Sequence, residues 1–168
     1  MFPRPLANNG RAASIHRWPV SRPVRSMTEA DIDSPSSREQ ALRNILPEDA
    51  KQHQPLLQET FRREMEYRKS EGDQPYFENL YWCAYLLFHV ADLRDVESMW
   101  VAKHLNMDTG CGFDVENMVG AGAGQTIEYL RQQGADEAAD YIEECLPEDS
   151  QAEIEQWSRD RRRYFYEG

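Results

Sequence analysis

The sequence predicts an all-α protein of six to eight short helices, arranged as an α-α superhelix or an irregular bundle. Apolar residues recur at a spacing of three or four over most of the chain, which is the period of an amphipathic helix. Serine, aspartate, proline and glycine stand where such segments would begin and end. No stretch of useful length alternates apolar and polar residues as a half-buried strand does. These three observations favour helices over any sheet.

The first two helices are placed by capping residues and prolines. Ser36 and Glu39 have the spacing of a capping box, and Pro47 ends the helix that follows. Pro55 suits the first position of the next helix, which runs to about residue 70. Its predicted inner side chains, stacked at a spacing of four, are Leu57, Phe61 and Met65.

The next segment, from Pro75 to about Ala91, is apolar nearly all round, so it is predicted to be the central, most buried helix. Asp92 caps a fourth helix over about residues 93–105. The inner stripe of this fourth helix is predicted to be Val96, Met99, Trp100 and the aliphatic stem of Lys103.

Glycines dominate the interpretation of the following stretch. Residues 106–112 are predicted to be a loop with Asp108-Thr109-Gly110 as its turn. Residues 113–133 fit either one long helix with a glycine-lined face or two helices broken at Gly120–Gly124. A glycine inside a helix costs roughly 1 kcal/mol, so the break is favoured. Gly134 then ends the second piece in a left-handed conformation.

Two helices complete the prediction. The first spans Ala135–Cys145, and its inward side chains are expected to be Ala138, Tyr141, Ile142 and Cys145. Ser150 and Glu153 form a second capping box that opens the last helix. The inner residues of that last helix are expected to be Ile154, Trp157, Tyr164 and Phe165.

Charge divides the chain into two parts. The net charge is −11, yet residues 1–26 contain five arginines, four prolines and no acid, so the remaining residues carry −16. The favoured interpretation is that translation starts at Met27; a disordered basic arm and a targeting peptide are the alternatives. In each case residues 1–35 precede the fold, and residues 36–168 form a single acidic helical domain.

Composition also bounds the function. An acidic body repels phosphate backbones, so no nucleic-acid partner is expected; it favours a basic protein partner, unless the charge serves solubility alone. The longest apolar run, Leu80–Ala91, is too short to cross a membrane. Three widely spaced cysteines predict reduced, partly buried thiols and a cytoplasmic location.

One stretch carries residues that enzymes use. His104, Asp108, Cys111 and Asp114 could bind zinc, or Cys111 could act as a nucleophile with His104 as base and Asp108 orienting it. The spacing matches no established zinc pattern, and the two aspartates suit a turn and a helix cap. Cys111, between two glycines, more simply marks close backbone packing. The prediction is therefore no catalytic, metal or cofactor site, with a hydrolase or metal-binding enzyme as the alternative.

Two further motifs have simple structural explanations. Gly120–Gly124 resembles a phosphate-binding loop in composition, but a predicted helix precedes it and no lysine follows, so close helix packing is favoured. His89 lies on the central helix and is expected to be an interior histidine bonded to a neighbour.

The predicted partner-binding residues are acidic side chains late in the chain. They are interpreted as a docking surface for a basic partner, the alternative being a solvated helical face. The set is Asp136, Glu137, Asp140, Glu143, Glu144, Glu148 and Asp149. The basic run Arg159–Arg163 balances this cluster at a helix C-terminus. An aromatic cluster on the central helix (Tyr76, Phe77, Tyr81, Trp82, Tyr85) is mostly core, with any exposed member a natural interface anchor.

Residues 76–145 resemble small uncharacterised bacterial helical proteins of the immunity-protein kind. The resemblance rests on residues 78–82, 108–114, 119–122 and 126–130, while the helix pairing around residues 92–96 is similar in style to HEAT and ankyrin units. It implies a non-enzymatic protein-binding module, most concretely a cytoplasmic immunity protein that neutralises a basic toxin. A general helical-repeat adaptor is the other alternative.

Overall fold

The computed structural model describes residues 32–69, 75–147 and 149–167, and within them the chain is all-α with no strand. The α-helices of this part of the chain are α1 (Pro35–Arg43), α2 (Gln54–Arg68), α3 (Asn79–Val90), α4 (Val96–Lys103), α5 (Met107–Gly112), α6 (Ala123–Gln132), α7 (Asp136–Cys145) and α8 (Gln151–Tyr166). Three 3₁₀ helices connect them: Pro47–His53, Leu93–Asp95 and Val115–Val119. The predicted fold class is confirmed.

Helix α3 is the centre of the fold, as its apolar sequence predicts. Helices α1, α2 and α8 and the 3₁₀ helices Pro47–His53 and Val115–Val119 all pack against it. Among the described residues, the largest fully buried side chain, Tyr85, lies on this helix. Because α8, from the far end of the chain, closes onto α3 instead of contacting only its sequence neighbours, the helices form an irregular bundle and not a superhelix.

The start of α1 differs from the prediction by two residues. Ser34, not Ser36, is the capping residue, and it exchanges hydrogen bonds with Ser37 in a capping box. The physical reason is Pro35, whose fixed φ and missing N–H suit the first helical position and draw the helix start forward. The predicted Ser36–Glu39 capping box is therefore wrong.

Helix α3 begins later than its apolar pattern predicts. Residues 75–78 form a turn, and α3 starts at Asn79 instead of Pro75. Tyr76 has a φ of 64°, in the left-handed region that bulky residues rarely adopt, so the helix cannot extend back through it.

Residues 107–112, predicted to be a loop, form helix α5. Asn106 accepts a hydrogen bond from the Thr109 N–H, and the Thr109 hydroxyl accepts one from the Asn106 N–H. This reciprocal capping box satisfies two N-terminal amides and outweighs the turn preference of the glycines. Asp108 therefore lies in a first helical turn and does not form a loop turn.

The break that the glycines predict between residues 113 and 133 is confirmed. Val115–Val119 forms a 3₁₀ helix, and α6 starts only at Ala123. Gly122 supplies the junction with a φ of 104°, a conformation that glycine adopts without steric cost. Gly134 ends α6 with a φ of 76°, also as predicted.

At the C-terminal end the helices are as predicted but several details are wrong. Ser150 precedes α8 without capping it, because its hydroxyl donates to the Pro147 carbonyl oxygen; the predicted capping box with Glu153 does not form. Tyr164 is 52% exposed, whereas Phe165, one position on, fills the core. Cys145, the last residue of α7, is exposed as well, although its spacing of seven residues from Ala138 places it close to the buried side of the helix.

Candidate protein-binding face

The structure gives His104 and Asp108 separate surroundings. The His104 ring nitrogen Nδ1 lies 2.8 Å from the Trp100 carbonyl oxygen, one turn earlier on the same helix, and its ring packs on the Trp100 ring. The Asp108 side chain is 84% exposed, and it lies 3.9 Å from the guanidinium group of Arg68. Neither side chain is oriented by the other, so the predicted base and orienting acid form no catalytic pair.

Cys111 and Asp114 also have different surroundings. Cys111 is exposed on α5, so the expected close packing does not occur at the thiol. It occurs at the adjacent Gly112, where an added Cβ would lie 2.8 Å from the Tyr81 hydroxyl. The Asp114 carboxylate accepts hydrogen bonds from the Trp157 indole N–H and from Arg161, and it therefore fastens α8 to the rest of the bundle instead of capping a helix.

No three histidine, cysteine, aspartate or glutamate side chains converge on a possible metal position within residues 32–69, 75–147 and 149–167. The four side chains of the predicted loop are therefore not gathered into a metal-binding group in this part of the chain.

Lys103 has a structural role in this region that was not predicted from the sequence. Its stem is buried as expected, but its ammonium group is buried too and donates to the carbonyl oxygens of Gly110 and Phe113 at 2.9 and 2.8 Å. The ammonium also lies 5.4 Å from the centre of the Tyr141 ring. Lys103 thus satisfies carbonyls at the end of α5, a structural role that amphipathic spacing alone could not reveal.

The helices at the start of the fold enclose a second unpredicted feature, a buried ion pair. Glu64 on α2 is fully buried and accepts hydrogen bonds from Arg38 Nε at 2.5 Å and from Asn79 Nδ2 at 3.1 Å. Burial raises the pKa of Glu64, while Arg38 and Asn79 oppose that shift. Three helices, α1, α2 and α3, are joined at this point.

His89 is a half-buried histidine bonded to a neighbour, as predicted. Its Nε2 lies 3.4 Å from the Ser158 hydroxyl, and its ring packs edge-on against those of Tyr85 and Phe88. Burial lowers the pKa of His89 to about 4, and the nearby Arg162 adds to the shift, while Glu48 opposes it. The fold therefore holds this imidazole neutral near pH 7.

This lowered pKa predicts a specific pH dependence. Because the folded-state pKa lies below the ordinary 6.5, the contribution of neutral His89 to stability is complete above pH 6.5 and is lost as the pH falls toward 4. The difference in melting temperature between the wild type and His89→Gln should therefore shrink over that interval. A difference that stays constant from pH 7 to pH 4 would refute the assignment.

The predicted acidic surface is best developed on α7. One side of this helix, with Ala138, Ala139 and Ile142, is buried. At 100° per residue, five carboxylates occupy an arc of about 120° on the opposite side. They are Asp136, Glu137, Asp140, Glu143 and Glu144, all exposed, and they are called the α7 acidic face below. Asp149 is exposed too, and Glu148 lies outside the described residues.

One arginine, Arg131, neutralises part of the negative charge of this face. Arg131 on α6 contacts Asp140 at 3.0 Å and Glu143 at 2.8 Å. The basic run on α8, expected to balance the acidic cluster, pairs elsewhere. Its arginines at 161, 162 and 163 pair with Asp114, Glu48 and Asp160. The α7 acidic face therefore keeps most of its negative potential.

The five aromatic side chains of the predicted cluster, which lie on α3 and in the turn before it, differ in how exposed they are. Trp82 and Tyr85 are core residues, and Tyr81 is half-buried. Tyr76 and Phe77 remain 40% and 46% exposed.

Comparisons of the chain with protein-family models, curated proteins and solved structures find no match. Among the helices of the described residues, none is long and apolar enough to cross a membrane.

Proposed function

We propose that the protein is a non-enzymatic binding module that presents the α7 acidic face to a basic protein. The observation that carries the proposal is the arrangement of five exposed carboxylates on one side of a helix whose other side is anchored in the core. Such a surface accelerates encounter with a positively charged partner and can bind its arginines through carboxylate pairs.

The most concrete form of this proposal is a cytoplasmic immunity protein that covers a basic region of a toxin. The anchored helix supports it, because the buried side of α7 fixes the backbone that carries the carboxylates, so this backbone needs no ordering on binding. The acidic body, which carries −16 outside residues 1–26, adds long-range attraction. The separated positions of His104, Asp108, Cys111 and Asp114 give no support to the enzymatic alternative.

The proposal predicts that reversing one charge on α7 weakens partner binding. Glu137→Lys should raise the dissociation constant about tenfold, roughly 1.4 kcal/mol, mainly by slowing association. The partner is first obtained by affinity purification of the full chain from its native cells at low and moderate salt. Binding of the purified partner is then measured by titration calorimetry and stopped-flow kinetics.

Glu97→Lys is the matched control. Glu97 and Glu137 are both exposed acids in the first turn of a helix, so the two changes alter net charge and helix-dipole interactions equally. The control should bind like the wild type. If both variants weakened binding equally, the affinity would depend on net charge alone, and an α7 binding face would be refuted.

The immunity and adaptor forms differ in the number and behaviour of partners. A single stoichiometric basic protein whose toxic activity is suppressed by this chain supports the immunity form. Several unrelated partners support the adaptor form.

A further inference from the structure

A groove of about 440 Å³ lies between α1, the turn before α3, the start of α3 and the end of α8. Five side chains supply its apolar surface and define the aromatic groove: Tyr76, Phe77, Trp82, Tyr164 and Phe165. On its floor, the buried rings of Trp82 and Phe165 stack with centroids 5.2 Å apart. On its walls, Phe77 and Tyr164 are 46% and 52% exposed. Exposed aromatic side chains around a packed floor are typical of docking surfaces.

Two half-buried carboxylates, Glu39 and Glu78, also line the groove. Glu39 already has a cation, because Arg43, one turn later on α1, contacts it at 2.7 Å. The guanidinium group of Arg43 also lies over the Trp82 ring, 5.4 Å from its centre. One end of the groove therefore holds a guanidinium group between a carboxylate and an aromatic ring, an arrangement in which both contacts favour the cation.

The second carboxylate, Glu78, has similar surroundings but no cation. It follows Phe77 in the turn and accepts a hydrogen bond from the Tyr164 hydroxyl. Within the described part of the chain, no arginine, lysine or histidine forms an ion pair with it. Arg161 lies 6.0 Å from the centre of the Tyr164 ring, but its guanidinium group pairs with Asp114. Glu78 therefore keeps its negative charge for a cation from outside the molecule.

Arginine is the cation that the chain itself places on the rings of this groove. In three pairs the guanidinium carbon lies 5.4 to 6.0 Å from a ring centre: Arg43–Trp82, Arg68–Phe77 and Arg161–Tyr164. A planar guanidinium group can stack on a ring while its N–H groups donate in pairs to a carboxylate, whereas a lysine ammonium is a compact, strongly hydrated charge. An arginine side chain therefore fits the free end of the groove better than a lysine.

We propose that the aromatic groove receives an arginine side chain of a basic partner protein, whose guanidinium group pairs with Glu78 and stacks on the Tyr164 ring. The contact would repeat at Glu78 what Arg43 does at Glu39. Charge complementarity selects this occupant. The chain carries a net charge of −11, which attracts a basic protein, whereas a second copy of the chain would bring an equally acidic surface.

This inference deepens the proposed function, because it names a side chain by which the basic partner is held, and it rests on that function for the existence of such a partner. The aromatic groove and the α7 acidic face are formed by different helices. Each surface can therefore be tested while the other is left intact.

The probe is N-acetyl-arginine methylamide, titrated into the ¹⁵N-labelled full chain. It should shift the amide signals of residues 76–82 and 163–166 with a dissociation constant in the millimolar range, since one ion pair and one cation–π contact are each weak. N-acetyl-lysine methylamide should bind about threefold more weakly, and the neutral N-acetyl-norleucine methylamide should leave these signals in place. Equal affinity for the arginine and lysine probes, or no shift with either, would overturn the proposal.

Substitutions locate the contact within the groove. Glu78→Gln should weaken binding of the arginine probe about fivefold. Tyr164→Leu should have a similar effect, and the exposure of this side chain lets the fold tolerate the change. Glu39→Gln is the matched control, because it removes the same charge from a carboxylate that already has its cation. It should change the affinity by less than about twofold. If Glu39→Gln weakened binding as much as Glu78→Gln, the proposed contact would be overturned.

The α7 variant separates this inference from the proposed function. Glu137→Lys should leave binding of the arginine probe unchanged, even where it weakens the purified partner. Weaker partner binding by Glu78→Gln with no effect of Glu137→Lys would support the groove and overturn the α7 face, and the reverse result would overturn the groove. Dimerisation of the full chain that Tyr164→Leu abolishes would assign the groove to a second copy and would also overturn the proposal.

Discussion

Gly120→Ala should destabilise the protein by about 3 kcal/mol or more, a large share of the stability of a single domain. The backbone of Gly120 has ordinary helical angles, φ −58° and ψ −31°, so an alanine is conformationally allowed there. A Cβ at this position, however, would lie 2.0 Å from the Phe88 carbonyl oxygen of α3. Since that atom belongs to the backbone of the central helix, it cannot move aside without displacing the core.

Gly124→Ala is the internal control for this prediction. Gly124 lies in the first turn of α6, and no packing neighbour comes within 4 Å of the position that an added Cβ would take. Alanine favours helix and restricts the unfolded chain, so the substitution should be neutral or stabilising by up to about 1 kcal/mol. Urea denaturation of both variants measures the free energies of unfolding. A similar loss in the two variants would contradict the packing explanation.

Arg38→Met should destabilise the protein by about 3–5 kcal/mol, because it leaves the fully buried Glu64 carboxylate without its cation. Asn79 would remain as a hydrogen-bond donor to Glu64, but it supplies no positive charge. Burial already raises the pKa of Glu64, and removal of Arg38 should raise it further. The loss of stability should therefore be smaller near pH 5 than at pH 7, since the protonated carboxyl is less costly to bury.

The double variant Arg38→Met/Glu64→Leu tests whether the ion pair itself is responsible. Replacement of a buried pair by apolar side chains of similar size is often nearly neutral, so the double variant should be more stable than Arg38→Met alone. Chemical denaturation of the four members of the cycle gives the coupling energy between the two residues. Strictly additive losses would contradict the prediction.

The predicted site residues differ in how well a local sequence pattern determines their arrangement. The α7 acidic face follows from sequence, because a helical period places its carboxylates opposite Ala138 and Ile142 whatever the helix packs against. A site made of His104, Asp108, Cys111 and Asp114 does not follow from sequence in this way, because proximity in the chain fixes neither the direction of a side chain nor its partner. Asp114 shows this best, since the groups it binds, Trp157 and Arg161, lie on another helix.

The sequence by itself determined the helical class, the burial of α3 and a break within Gly120–Gly124, since each follows from local backbone preference and the period of apolar residues. Only the tertiary structure decided the burial of the Lys103 ammonium group beside the Tyr141 ring and the pairing of Arg38 with Glu64. Each of these contacts joins two different helices, so its energy depends on which helices meet. The helix propensity of a segment does not determine which other helix it packs against.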